Sequence, residues 1–151
     1  MLDINKQKMK YSQGGQKVFI YERDEDGNIL YEGYQSDDGF VYYHDSNGNK
    51  IPKGEEVEGF SEPKEFYANI SNKLSEVLVK EFGIDDSTSY CQLVTDKGYL
   101  PLKAGDVIWK RSEVSYTENG TADSESADYI VKGVADEGLT VDLYLLRKNI
   151  K

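Results

Sequence analysis

Along the first third of the chain, short apolar and aromatic runs alternate with clusters of Asp, Asn and Gly, the pattern of brief strands joined by tight turns. Lys17-Val-Phe-Ile-Tyr21 is strand-like, Asp24-Glu-Asp-Gly-Asn28 turns, and Ile29-Leu-Tyr-Glu-Gly-Tyr34 continues on the far side. Asp37-Asp-Gly39, Phe40-Val-Tyr-Tyr43 and Asp45-Ser-Asn-Gly-Asn49 repeat that order. Gly and Asn suit such turns because they accept positive φ at little steric cost. Residues 1–58 are therefore expected to form an N-terminal extension of β-hairpins, an arm or insertion whose short strands order fully only against a neighbour.

A polar hinge, Ile51-Pro-Lys-Gly-Glu-Glu-Val-Glu58, leads into a main domain expected over residues 59–151. Lys64-Glu-Phe-Tyr-Ala-Asn-Ile70 alternates as a half-buried strand does. Ser71 is placed to cap a helix in which Leu74, Val77, Leu78 and Phe82 recur at helical spacing, and Gly83 supplies its stop. Strands are then expected at Cys91-Gln-Leu-Val-Thr95, Asp106-Val-Ile-Trp-Lys110, Ala127–Ala135 and Leu139–Leu146, with a polar loop from Ser112 to Ser126 and a hairpin turn at Asp136-Glu-Gly138. The fold class that follows is mainly β: a small antiparallel β-barrel or sandwich with one short helix and an N-terminal β-hairpin arm.

Composition narrows the function. A 151-residue chain suits one core, since a domain of that size buries roughly 68–70% of the surface its unfolded chain exposes. Twelve Tyr, five Phe and one Trp supply amphipathic side chains suited to an interface. A formal net charge of −10 argues against a grip on nucleic acid, which needs clustered Lys and Arg. Cys91 is the single cysteine, so no intramolecular disulfide forms, and no Cys/His spacing suggests zinc. The first ten residues are polar throughout, offering neither a signal-peptide apolar region nor a membrane span, and a cytosolic origin is expected.

Candidate chemistry is sparse. The acid pairs Asp24/Asp26, Asp37/Asp38, Glu55/Glu56 and Asp85/Asp86 fall in turns, whereas a glycosidase needs two carboxylates facing one cleft. Asp24-x-Asp26 and Asp45-x-Asn47-x-Asn49 echo part of a calcium loop, but their glycines occupy its fourth position and its final Glu is missing. His44 has no nucleophile motif around it, and Cys91 and Trp109 read as core residues. No glycine-rich phosphate loop follows any strand. No catalytic, cofactor-binding or metal residue is assigned, and a non-enzymatic role without cofactors is expected. Asp38-Gly-Phe-Val-Tyr-Tyr-His-Asp-Ser-Asn-Gly-Asn49 looks like a single aromatic hairpin of choline-binding, cell-wall-attachment repeats. Those sites form between successive repeats, Phe40 stands in place of the leading Trp, and Asp24-Glu-Asp-Gly-Asn28 reads as a poor second copy.

Taken in order, Phe60-Ser-Glu-Pro-Lys-Glu-Phe-Tyr-Ala-Asn-Ile-Ser71, Glu81-Phe-Gly83, Asp106-Val-Ile-Trp109, Ser126-Ala-Asp-Tyr-Ile-Val-Lys-Gly-Val-Ala135 and Leu143-Tyr-Leu-Leu-Arg-Lys148 resemble a familiar layout. It is that of the head-completion proteins (head-tail joining, stopper or connector proteins) of long-tailed bacteriophages of Gram-positive hosts. There a Pro-led strand ending in Asn-Ile/Val-Ser precedes an acidic-aromatic-Gly element, a Trp strand, an Ala-Asp-Tyr-x-Val strand and a basic final strand. The resemblance covers residues 59–151 and rests on motif order and spacing. Asn72-Lys-Leu-Ser-Glu76 and Asp136-Glu-Gly138 depart from it.

The resemblance implies a virion protein at the head-tail interface, assembled in the host cytoplasm. Copies would form a ring under the portal or adaptor protein, close the filled head, and offer a surface to a tail-completion or tail-terminator protein. Packaged DNA would pass nearby without specific binding, and no membrane is involved. Phe40, Tyr42 and Tyr43 are the expected subunit-interface residues. The channel gate is expected either in the segment carrying Ser71, Leu74, Glu76, Lys80 and Gly83 or in the loop from Ser112 to Ser126. An acidic DNA-mimic inhibitor and a cell-wall glycan-binding module are the alternatives.

Overall fold

The computed structural model describes residues 6–84 and 88–149. In chain order its elements are β1 (Gln7–Ser12), β2 (Gln16–Tyr21), β3 (Gly33–Ser36), β4 (Gly39–Tyr42), β5 (Gly54–Gly59), β6 (Lys64–Ser71), α1 (Glu76–Phe82), β7 (Tyr90–Asp96), β8 (Val107–Trp109), β9 (Tyr129–Ala135) and β10 (Val141–Lys148). The protein is mainly β, and six of these strands close an antiparallel barrel in the order β1-β6-β7-β10-β9-β8. Pairing of Lys10 with Trp109 and Ser12 with Val107 seals the ring between its first and last members. Closure removes the unpaired sheet edges that would otherwise template association.

Every barrel strand contributes to one interior cluster: Met9, Phe66, Ala68, Cys91, Leu93, Ile108, Val131, Tyr144 and Leu146. Period-two alternation puts them there, as in β7, where Cys91, Leu93 and Thr95 are buried and the residues between them are half-buried. Along β10, Tyr144 and Leu146 stay within and Leu145 faces out by the same alternation, and the register shift falls on β9, where Lys132 is left without a cross-strand partner between Val131 and Gly133. Two patches of the outer wall are covered. Over β9 and β10, α1 lays Leu78 and Phe82 on Ala135 and Leu145, and Leu74 joins them from just before the helix. Over β8, Phe60, Val114, Ala122 and Ala127 pack with Val107 and Trp109.

Three expectations are corrected. The extension does not run from residue 1, because β1 pairs with both β6 and β8 and belongs to the barrel. The acidic stretch read as a hinge contains β5, which pairs with β2. Ser71 does not cap the helix: pairing with Gln92 keeps it in β6, and Ser75 takes the N-cap position, its N–H donating to Gln92 Oε1 at 2.6 Å. Gly83 does end the helix in the left-handed conformation, at φ 66°.

Residues Lys17–Glu58 form a second compact unit, inserted in sequence between β1 and β6. It is a ladder of short hairpins, β2 with β5 and β3 with β4, linked by the bridges Arg23–Ile29, Tyr31–Pro52 and His44–Lys50. None of its described residues is buried. Two hairpins in it share one turn design, 21 residues apart in sequence. Asp24 Oδ1 accepts from the N–H of Asp26 and Asn28, each at 2.9 Å, and Asp45 Oδ1 accepts from Asn47 and Asn49 at 2.9 and 3.0 Å. Gly27 and Gly48 complete them at φ 84° and 81°. The Asp24 turn, poor as a sequence copy, is thus a geometric equivalent of the Asp45 turn.

Candidate interface and channel segments

The three expected interface residues divide between two surfaces of the inserted unit. Phe40 and Tyr42 share one face of β4, their ring centroids 4.8 Å apart, and Tyr31 meets Tyr42 edge-on at 6.1 Å. Lys50 Nζ stands 4.0 Å from the Tyr42 centroid and 5.6 Å from that of Tyr31, so this aromatic group already holds a cation. Tyr43 follows β4 and meets Tyr34 at 6.1 Å. Tyr34 is paired with Val41, which places those two on the face opposite Phe40 and Tyr42. Tyr34, Phe40, Val41 and Tyr43 are all exposed. Phe40 also lies across Gly33, where a Cβ would come within 2.7 Å of its ring, and Phe19 covers Gly54 at the same distance. Tyr34 and Lys50 escaped the sequence reading, because only strand register brings them to the aromatic groups.

Of the expected gate residues, Ser71 closes β6, Leu74 packs beneath α1, Glu76 and Lys80 are exposed, and Gly83 is the helix stop. Side-chain burial fastens α1 to the barrel wall, with Leu78 fully buried. The Ser112–Ser126 loop is also anchored: Ala122 bridges both Phe60 and Tyr116, and the Thr117 N–H donates to Thr121 O at 2.8 Å. Residues 115–120 of it are exposed, with the turn tip at 117–120.

Carboxylates fix the barrel's corners. Asp128 Oδ2 accepts from the N–H groups of Lys110, Arg111 and Ser112 at 2.8 to 2.9 Å, and its Oδ1 accepts from the Ser112 hydroxyl at 2.7 Å. Burial alone would raise this carboxyl, but the Ser112 hydroxyl and the three amides outweigh it and hold it at about 2. Buried Asp106 accepts from Gly14 N–H at 3.1 Å and Lys103 N–H at 2.9 Å, tying the end of β1 to the approach to β8. Asp142 accepts from Gly98 N–H at 2.9 Å. Trp109 Nε1 donates to Ser126 Oγ at 2.9 Å. Apart from the bond from Lys103 to Asp106, three residues away, the local sequence does not reveal these bonds, since donor and acceptor lie 16 or more residues apart.

Burial pushes the Cys91 thiol up to about 11. It likewise pushes Tyr144 up to about 12, and that hydroxyl donates to Leu100 O at 2.9 Å. Among the described residues, no three His, Cys, Asp or Glu side chains gather as a metal ion requires, and no helix is long and apolar enough to cross a membrane. His44 bridges Lys50 within a hairpin, and Asp85 and Asp86 lie outside the described residues. Comparison with protein-family models, with curated proteins and with solved structures finds no match.

Proposed function

We propose that this chain is a non-enzymatic structural protein of a bacteriophage neck, which forms a ring under the portal, closes the DNA-filled head and presents a docking surface to the tail. The observation that carries this reading is where the ordered motifs fall. The segments around Phe60–Ser71, Asp106–Trp109, Ser126–Ala135 and Leu143–Lys148 supply β6, β8, β9 and β10 of one closed barrel, and the unit of residues 17–58, which carries none of them, is separate. Asp106, Trp109, Ser126 and Asp128, motif residues outside any simple strand alternation, hold that barrel's corners together. The motifs that carry the resemblance thus fall in order within one barrel.

Within this reading the inserted unit meets neighbouring subunits through its exposed aromatics, and net negative charge lets DNA pass without adhering. The gate is better served by the tip at residues 117–120 than by α1, whose release would expose Leu74, Leu78 and Phe82 at several kcal/mol, taking about 1.5–3 kcal/mol per buried side chain. A glycan module that captures a quaternary ammonium group is less well served, because Lys50 already fills the aromatic cluster at Tyr31 and Tyr42.

Fractionation tests the reading. The protein is expected in gradient-purified mature virions, and removal of residues 117–120 is expected to yield filled heads that leak DNA. Recovery with cell envelopes would point to a wall binder and recovery with a nucleic-acid enzyme to an inhibitor, and either would overturn the proposal.

A further inference from the structure

We infer that the β3–β4 hairpin of one copy docks on a basic depression in the barrel wall of a second copy. The contact runs head to tail, and it rests on the ring reading above. Both halves are visible in the chain. Residues 17–58 hold four Lys and Arg against eleven Asp and Glu, so they carry seven of the ten net negative charges. Asp37 and Asp38 form the tip of the hairpin, followed by exposed Phe40 and Val41, and its sheet has two strands.

The barrel offers the complement. Two depressions adjoin through Lys110. One, of about 440 Å³, is lined by Lys8, Lys10 and Lys110 with Met9 and Trp109 among them, and the other, of about 350 Å³, by Lys110, Arg111 and Lys148. Three carboxylates share these walls: Glu65 pairs with Lys8 at 3.1 Å, Asp128 is engaged by the amides of residues 110–112, and Glu113 is exposed, so five Lys and Arg against three acids leave the lining net positive. An acidic hairpin tip therefore meets a mainly polar depression whose rim is net positive. Two acidic hairpins facing each other would repel, so the contact joins unlike surfaces and propagates from copy to copy as a ring requires.

The test mixes isotopically heavy and light full-length chains and applies a zero-length carboxylate-to-amine cross-linker. Mixed heavy-light links from Asp37 or Asp38 to Lys8, Lys10 or Lys110 are expected, falling roughly tenfold between about 20 and about 500 mM salt. The double variant Asp37→Lys/Asp38→Lys should lose them. Adding Lys110→Asp/Arg111→Asp to that variant should restore reciprocal links, since the Asp128 staple uses backbone amides that these substitutions leave in place. Circular dichroism and melting check that each variant folds. Links only within one copy, links between hairpins, or no recovery in the charge-swapped chain would overturn the inference. The two readings fail separately: virion-resident protein without these links removes this contact alone, whereas mixed-label links in a protein absent from virions remove the neck reading and leave the contact standing.

Discussion

A carboxylate in a barrel corner must find donors, and Asp128 finds four in residues 110–112. Replacing it with Asn removes the charge that makes those bonds strong, leaving a neutral amide oxygen for the three backbone donors and turning the NH2 toward the Ser112 hydroxyl. Asp128→Asn is expected to destabilise the fold by about 2 kcal/mol in chemical denaturation. The sign of its pH dependence follows from the depressed native carboxyl. Above the ordinary value of 3.8 the charged form favours the folded state, and that advantage is lost as pH falls toward about 2. Discounted for partial exposure, it amounts to about 1–2 kcal/mol. Wild-type stability should therefore drop more between pH 4 and 2 than that of Asp128→Asn, and an equal drop in both would show that the staple contributes little. Cys91 gives a second check at this scale. A thiol buried in the barrel and raised to about 11 should resist alkylation at pH 8 and react only as denaturant opens the fold.

Among the elements, α1 depends on what lies beneath it. Leu78→Ala should cost about 2–5 kcal/mol. Gly133→Ala should cost about 1–3 kcal/mol, because a Cβ there would stand 2.4 Å from the Phe82 ring and push the end of the helix off the wall. Exchange of the exposed Glu76 or Lys80 for Ala should change stability by less than about 0.5 kcal/mol, and a larger loss in thermal melts would contradict the helix's placement. The legibility of elements follows the same physics. The strands β6 and β7 are readable because their alternation has one buried face, and β9 and β10 as longer apolar runs because α1 covers part of their outer wall. In β1 the signal was weak, since among its six residues only Met9 and Ser12 are buried and long-range pairing with β6 and β8 defines the strand. In β5, Gly-Glu-Glu-Val-Glu-Gly buries nothing and is strand only because β2 lies beside it. The helix start was misplaced because a serine at residue 71 or 75 can serve, and the pairing of Ser71 with Gln92 decides between them. The interface aromatics were visible as composition, but their division into two faces awaited the register of β3 against β4.

For the whole molecule, the insertion is the part whose removal teaches most. Its two ends are already held together in the barrel: Ser61 N–H donates to Gln13 O at 2.9 Å, Gln13 N–H donates to Ser61 Oγ at 3.0 Å, and Asp106 holds Gly14. A chain in which residues 16–58 are replaced by a short glycine-rich turn should therefore keep the six-stranded barrel. A unit with no buried residue among those described adds little cohesion of its own, whereas shortening the connection lowers the entropy cost of closing β1 onto β6. The shortened chain is expected to unfold cooperatively, with a melting temperature no more than about 5 °C below that of the full chain. Hydrogen exchange on the full chain supplies the converse. Amides of residues 17–58 should exchange well ahead of those in β6, β7, β9 and β10, and should slow when the protein is assembled with its neighbours. A shortened chain that fails to fold, with slow exchange throughout the insertion in the isolated protein, would mean that residues 17–58 stabilise the barrel itself, and their role as a subunit contact would lose its physical motive.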